Sequence, residues 1–276
     1  MTDLDKWIQS MKEDDKSINT IESYKGDVIQ FMNFIEKEPE EITKEDIMRY
    51  KEYLAVNEMS VKSANRKYIS VNGFFSFLQN ELEKDVQMRI KKDKLQSQEY
   101  LEEMLTKDDF EKLVQVALNY NDYRAVAIFN TLFYTGMRIS EALQLKIIDV
   151  TNDIVVIKGK GSKHRNVFIP QKLKSILNTY MMYRVPCKSE LLFTGKKGPI
   201  NRKTVDTIIK KYAAIAGISM TKAHAHNFRH LYCLTLIEKG ITIDTVADLA
   251  GHSNINTTRI YTRKTKNQLL DTINDL

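Results

Sequence analysis

All five histidines of this 276-residue chain, His164, His224, His226, His230 and His252, lie in its second half. Other side chains that handle oxyanions stand among them. Arg138 sits in Thr135-Gly136-Met137-Arg138, where a glycine turn leads into a helix. Lys160 lies between Gly159 and Gly161 at a hairpin tip, and Tyr261 follows His252 by nine residues. Arg229 follows His226 by three residues, so both project from one helix face. Guanidinium forks, an ammonium group, imidazoles and a phenol together can hold a phosphate and attack it. Each alone has an ordinary reading: Arg138 pairs with Glu141 on a surface, His226 is a satisfied core histidine, Lys160 is a turn lysine, and Tyr261 is one of 13 tyrosines that pack. Their joint order and spacing single them out.

Rival chemistries fit less well. His226 and His230 have the four-residue spacing of two zinc ligands on a helix, but Asn227, Phe228 and Arg229 separate them. No glutamate stands where a metalloprotease base is needed, and the arginine raises the cost of placing a cation there. The sequence contains neither a G-x-S-x-G elbow nor a G-x-x-x-x-G-K-[ST] phosphate loop. Cys187 and Cys233 are too few for a disulfide framework or a cysteine-rich zinc site, which suits a reducing cytoplasm.

The elements that must position these residues are mostly helices. Hydrophobic residues make up 42% of the chain, enough for a core, and ten glycines with four prolines are too little turn punctuation for an all-β fold. No run of apolar residues is long enough to span a membrane, and the acidic, polar start argues against a signal peptide. Ile21, Tyr24, Val28, Phe31 and Ile35 mark one face of a first strong helix. Only 17 residues precede it. Thr43 caps a second helix through Ile47, Tyr50 and Leu54. Ser60 or Ser63 caps a third, with Tyr68, Val71, Phe75 and Leu78 inside. Residues 84–100 are polar with closely spaced lysines and suit an exposed connector. Leu105-Thr106 opens another capped helix, followed by more helix to about residue 146. Ile154–Ile157 and Val167–Ile169 then predict a β-hairpin, with a further short strand at Leu191–Phe193. Helices continue to the end, broken at Gly217, Gly240 and Gly251. The expected fold is mainly α, of the α+β kind: a helical domain over 1–83, a linker over 84–105, and a mixed α/β domain with a small antiparallel sheet over 106–276.

Charge separates the two halves. Residues 1–100 carry 16 basic and 20 acidic side chains, whereas residues 101–276 carry 26 and 16. The back of the chain is therefore a candidate binder of a polyanion, set against the plainer reading of a lysine-rich solvated surface. Within the acidic front, Lys62, Arg66 and Lys67 form a local basic patch.

Four segments together resemble the tyrosine recombinase, or phage integrase-like, family. They are Thr135-Gly-Met-Arg-Ile-Ser-Glu-Ala-Leu143, Gly159-Lys-Gly161, His226-Asn-Phe-Arg-His230 and Leu249-Ala-Gly-His-Ser-Asn-Ile-Asn-Thr-Thr-Arg-Ile-Tyr261. The helical front is similar to that family's SAM-like core-site-binding domain, and in size the chain looks most like Xer-type and transposon-encoded members. The one departure is Phe228, where leucine is commoner, a packing change. The resemblance implies that Arg138 and Arg229 hold the scissile phosphate, Lys160 protonates the leaving oxygen, His226 accepts the nucleophile's proton and His252 donates a hydrogen bond to a phosphate oxygen. Tyr261 becomes the nucleophile and Glu141 holds the arginine region. Lys158 and Lys163 are rivals for the lysine role.

No cofactor and no metal is implied, because the guanidiniums supply the charge a metal would. The implied activity is site-specific recombination through a 3′-phosphotyrosine and a Holliday junction, serving integration, excision or resolution. The implied partners are double-stranded DNA with inverted-repeat core sites and three further copies in a tetramer. The two domains would clamp the duplex, with DNA contacts at Lys62, Arg66, Lys67, Lys163 and Arg165. The tail Lys264–Leu276, with Leu269, Leu270 and Ile273, would dock on a neighbouring subunit or pack on its own domain. Such an enzyme works in the cytoplasm, on the nucleoid. The alternatives are a type IB topoisomerase and a catalytically silent DNA-binding regulator.

Overall fold

The computed structural model describes residues 2–94, 104–159, 164–252 and 254–262. The chain divides into two compact units, Met1–Gln98 and Glu99–Leu276. Both are mainly helical, and the strands all belong to the second. Among the described residues no helix is long and apolar enough to cross a membrane. Lys160 and Lys163, like the tail Lys264–Leu276, lie outside the described residues.

The first unit is built from α1 (Asp3–Glu13), α2 (Ile18–Ile35), α3 (Lys44–Val56) and α4 (Val61–Glu81). Helix α1 begins the fold earlier than the sequence reading placed it. Its polar composition hides a face of Leu4, Trp7, Ile8 and Met11, of which Trp7 and Met11 are buried. Thr2 and Asp5 close a capping box at its start: Asp5 N–H donates to Thr2 Oγ1 at 3.2 Å, and Thr2 N–H to Asp5 Oδ2 at 2.9 Å. Thr43 and Asp46 close a second box at α3, while Ser17 and Ser60 cap α2 and α4 through their hydroxyl oxygens alone, so Ser60 rather than Ser63 starts α4. The core is aromatic. Phe31, fully buried, meets Tyr50 edge-on at 4.9 Å and Phe75 at 5.7 Å. Burying a side chain of that size is worth about 2–3 kcal/mol.

The stretch read as an exposed connector behaves differently over its described part. Val86 and Ile90 are buried in the first core. Two side-chain amides on α4 then act as clips for the extended backbone. Asn72 accepts from Ile90 N–H at 2.8 Å and donates to Ile90 O at 2.9 Å, and Asn65 does the same at Asp93, at 2.8 Å each way. An extended strand that packs on a helix has no ladder partner, and these amides satisfy it.

The second unit packs α5 (Lys107–Asn119), α6 (Tyr123–Thr135), α8 (Gln171–Tyr183), α9 (Arg202–Ile215) and α10 (Ala225–Glu238) around Phe110, Phe129, Phe133, Tyr212 and Phe228. Thr106 and Asp109 box the start of α5, as the sequence predicts. The buried Phe228 stacks on Phe129 at 5.7 Å, which explains why a ring is accommodated there. The short helices α7 (Ile139–Ala142), α11 (Ile243–Ala250) and α12 (Asn256–Arg259) complete the unit.

Strands β1 (Ile154–Lys158) and β2 (His164–Phe168) form the expected antiparallel hairpin, in the register Ile154↔Phe168 to Lys158↔His164. Val155, Ile157 and Val167 point into the core. The strand expected at Leu191–Phe193 falls one step later. β3 (Thr194–Gly195) pairs with β4 (Gly198–Pro199), Leu191 makes a single bridge with Lys146, and Leu192 and Phe193 are core residues. The short apolar run reported burial there, not pairing. The chain leaves α9, α10 and α11 at or beside Gly217, Gly240 and Gly251, the three expected breaks.

Candidate active site

Helix α6 ends at Gly136, whose φ of 57° carries the chain into a turn where any Cβ would overlap the Tyr232 ring. Arg138 follows as the N-cap of α7 and Glu141 as its third residue. The Glu141 carboxylate takes Arg138 N–H at 3.0 Å on Oε2 and Arg138 Nη1 at 2.8 Å on Oε1. Arg165, on β2, donates its Nη2 to Glu141 Oε2 at 2.8 Å. Burial raises the Glu141 pKa, but hydrogen bonds from Arg165 and then Arg138 outweigh it and hold the carboxyl below the usual range. Arg138 keeps 38% of its side chain exposed, and its Nη2 lies 3.4 Å from Gly251 O.

Helix α10 brings Arg229 against that group. Arg229 is 1% exposed. Its Nη1 donates to Gly136 O at 2.7 Å, while its Nη2, also buried, has no hydrogen-bond partner among the described residues. Burial, and next the charge of Arg138, bring its pKa down to about 10, which still leaves it protonated at neutral pH. Gly251 ends α11 in the left-handed region at φ 68° and delivers His252 to the same place. His252 Nδ1 lies 2.8 Å from Thr258 Oγ1, and burial with Arg229, Arg138 and His226 nearby pushes its pKa down to about 4.

Tyr261 is 5% exposed, packed among Met104, Cys233, Val246 and Ala250. Its hydroxyl is hydrogen-bonded to His230 Nδ1. Burial, together with Cys233, raises the phenol's pKa, and burial first, then the neighbouring His226, push His230 down to about 3. Both groups are therefore neutral, and the phenol is the donor to an imidazole nitrogen. The exposed His226 sets its ring edge-on to His230, 4.4 Å between centroids and 82° between planes. The chain thus presents Tyr261, His230 and His226 in series from core to surface.

Of the residues singled out from sequence, Arg138, Glu141, His226, Arg229, His252 and Tyr261 converge here. Lys158, at the end of β1, is exposed. His230 was read only as half of a weak metal pair. Its i, i+4 relation to His226 was the available signal. Among the described residues no group of three or more His, Cys, Asp or Glu is placed to hold a metal ion. Beside the arginines a cleft of about 390 Å³ is also lined by His224 and by Arg202 and Lys210 from α9, two cations that the motifs did not mark.

Three expected DNA contacts are paired within the protein. Arg165 has only 14% of its side chain exposed and points to Glu141 and to Leu249 O. In the first unit, Arg66 grips the buried Asp27 with both Nη atoms, at 2.6 and 2.8 Å, and Lys67 reaches Asp27 at 3.0 Å and Gln30 at 2.5 Å. A buried carboxylate must be neutralised, and these two cations serve that need. Lys62, at the start of α4, is exposed.

Comparison with known proteins agrees with this geometry. Residues 103–268 match the model of the phage integrase family, and residues 4–86 match the phage integrase N-terminal SAM-like domain. The chain is 32% identical over 274 residues to the TnP I resolvase of Bacillus thuringiensis, covering 94% of each chain. It is 29% identical over 276 residues to the tyrosine recombinase XerD of Rickettsia bellii, covering 92% of this chain and 90% of the relative. The fold is similar to that of the XerH site-specific recombinase bound to palindromic difH substrate in a post-cleavage complex. That similarity has a TM-score of 0.75 at 26% identity, over 92% of this chain and 78% of that one.

Proposed function

The chain belongs to the phage integrase family and is a site-specific tyrosine recombinase, an enzyme that cuts and rejoins DNA strands through a 3′-phosphotyrosine; from that premise we propose that Tyr261 is the nucleophile and that Arg138 and Arg229 hold the scissile phosphate. This reading stands in place of the topoisomerase and silent-regulator alternatives. The observation that carries the assignment is the buried Nη2 of Arg229, a charged donor with no partner among the described residues, beside the half-open guanidinium of Arg138. A protein leaves such a donor orphaned only at a cost, and a non-bridging phosphate oxygen is the acceptor that satisfies it.

The reaction then needs four events. The Tyr261 oxygen attacks phosphorus as its proton passes to the imidazole it already touches, His230, with the exposed His226 as the next ring outward. The P–O5′ bond breaks as the P–O–Tyr261 bond forms. The two guanidiniums and the imidazole N–H of His252 stabilise charge on the phosphoryl oxygens. Lys160, on the hairpin between β1 and β2, protonates the leaving 5′ oxygen. The reverse attack by a 5′ hydroxyl of another strand completes exchange, because the phosphotyrosyl ester conserves the bond energy.

The partner we assign is double-stranded DNA carrying inverted core sites, bound on the nucleoid. The front unit, with Lys62, would contact one half-site and the second unit the scissile phosphate. The assembly is a tetramer on two sites. An apolar cleft of about 480 Å³, lined by Phe133, Phe168, Pro170, Tyr232, Leu236 and Leu249, offers a seat for the Leu269, Leu270 and Ile273 face of a neighbour's tail.

A nicked suicide substrate tests the reading. Wild type should trap a covalent protein–DNA adduct, and Tyr261→Phe should bind the same DNA and trap none. An adduct formed by Tyr261→Phe would overturn it.

A further inference from the structure

Arg165 occupies a position that the recombination motifs leave without a task. It lies on β2, yet its guanidinium turns inward. One end, Nη2, donates to Glu141 Oε2 at 2.8 Å. The other end, Nη1, donates to Leu249 O at 2.9 Å, in the last turn of α11. Behind the fork its stem lies against Gly251 so closely that a Cβ there would come within 2.5 Å of Arg165 Cδ. Arg138 Nη2 meets the carbonyl of the same Gly251. One side chain thus joins the hairpin, the arginine turn of α7 and the turn that delivers His252.

We propose that Arg165 is a positioning residue for cleavage, acting through Glu141 on Arg138 and through the Leu249–Gly251 turn on His252. The inference rests on the recombinase reading above.

Charge explains why an arginine is needed and not merely a spacer. Glu141 is buried, and if Arg138 were its sole partner the ion pair would draw that guanidinium fully onto the carboxylate and cancel its charge. The second arginine occupies one carboxylate oxygen and adds to the positive charge of the cluster, in which Arg138, Arg165 and Arg229 stand against Glu141. Arg138 can then present its Nη2 edge to a phosphate. A lysine cannot replace this bolt, because one ammonium cannot reach two acceptors on opposite sides of a glycine as a planar fork does.

The test uses the full chain and a suicide substrate, with Arg165→Ala, Arg165→Lys, Glu141→Gln and the double variant Glu141→Gln/Arg165→Ala. Misplacing catalytic groups by an ångström costs on the order of 10²-fold. Single-turnover cleavage at saturating DNA should fall by about that factor in Arg165→Ala, with half-saturation by DNA changed less than about threefold. Arg165→Lys should melt near the wild type and still cleave at least about tenfold slower, which keeps the test valid if the alanine variant fails to fold. The double variant should cleave about as slowly as the slower single variant, because both act through one link. Wild-type cleavage by Arg165→Lys would overturn the proposal. So would weakened DNA affinity, with a shallower salt dependence and losses additive with Glu141→Gln, since those mark a phosphate contact. Tyr261→Phe run alongside separates the two readings: an adduct there removes the nucleophile assignment, whereas normal Arg165 variants beside an adduct-free Tyr261→Phe remove only this one.

Discussion

His230 Nδ1 is hydrogen-bonded to the hydroxyl of Tyr261, a phenol that stays buried and protonated there. The contact ties the last described turn, Ile260–Thr262, to the helix that carries Arg229. A phenol with a raised pKa does not attack phosphorus spontaneously. It needs the phosphate in place, to draw charge toward the arginines, and an acceptor for its proton.

Burial of His230 and His252 makes stability depend on pH in a stated direction. The folded pKa values of His230 and His252 lie near 3 and 4, below the usual value of 6.5. Between those limits the unfolded chain binds protons that the native state excludes, so stability is lost as pH falls from about 6.5. The limiting slope for one such histidine is about 1.4 kcal/mol per pH unit. The groups facing His230 are His226, His224, Arg229, His252 and Tyr261. Melting temperatures between pH 7 and 5 should fall for wild type and fall less for His230→Gln. Equal slopes would show that His230 does not titrate as described.

The front unit should depend on Asp27 for stability. Its buried carboxylate takes Arg66, Lys67 and Ser70 Oγ, the last at 2.8 Å. Asp27→Ala leaves two cations without their acceptor and should cost about 3 kcal/mol in chemical unfolding. A loss under about 1 kcal/mol would mean that solvent already screens the pair.

Two glycines with the same backbone sign should respond differently to alanine. Gly251 has φ 68° and Gly240 φ 81°, so each substitution pays about 1 kcal/mol for the left-handed conformation. At Gly240 no atom lies within 4 Å of a new Cβ, whereas at Gly251 the Arg165 side chain must move. Gly251→Ala should therefore lose more stability than Gly240→Ala and should alone slow cleavage. Equal behaviour in melting and in suicide-substrate assays would count against the Arg165–Gly251 contact.

Much of the fold was legible because its cues are local. Thr43, Ser60 and Thr106 each announce a helix through a hydrogen bond that closes within three residues. The hairpin announced itself by two β-branched runs around a glycine-flanked turn. Helix α1 was missed because its apolar face is carried by four residues in an otherwise polar stretch. The extended segment with Val86 and Ile90 was missed because it has no periodicity: it is held by Asn65 and Asn72, well upstream on α4.

The amino-acid order by itself determined the family and the helical character, and it marked the side chains proposed to handle phosphate, since motif spacing and caps are properties of neighbours along the chain. Tertiary structure decided which way the charges turn. Arg66 and Arg165, cations that composition would send to DNA, face buried carboxylates 39 and 24 residues away, and His230 finds Tyr261 across 31 residues. The reason is desolvation: a buried carboxylate or phenol must be paired, and packing alone settles which distant side chain is close enough to do it.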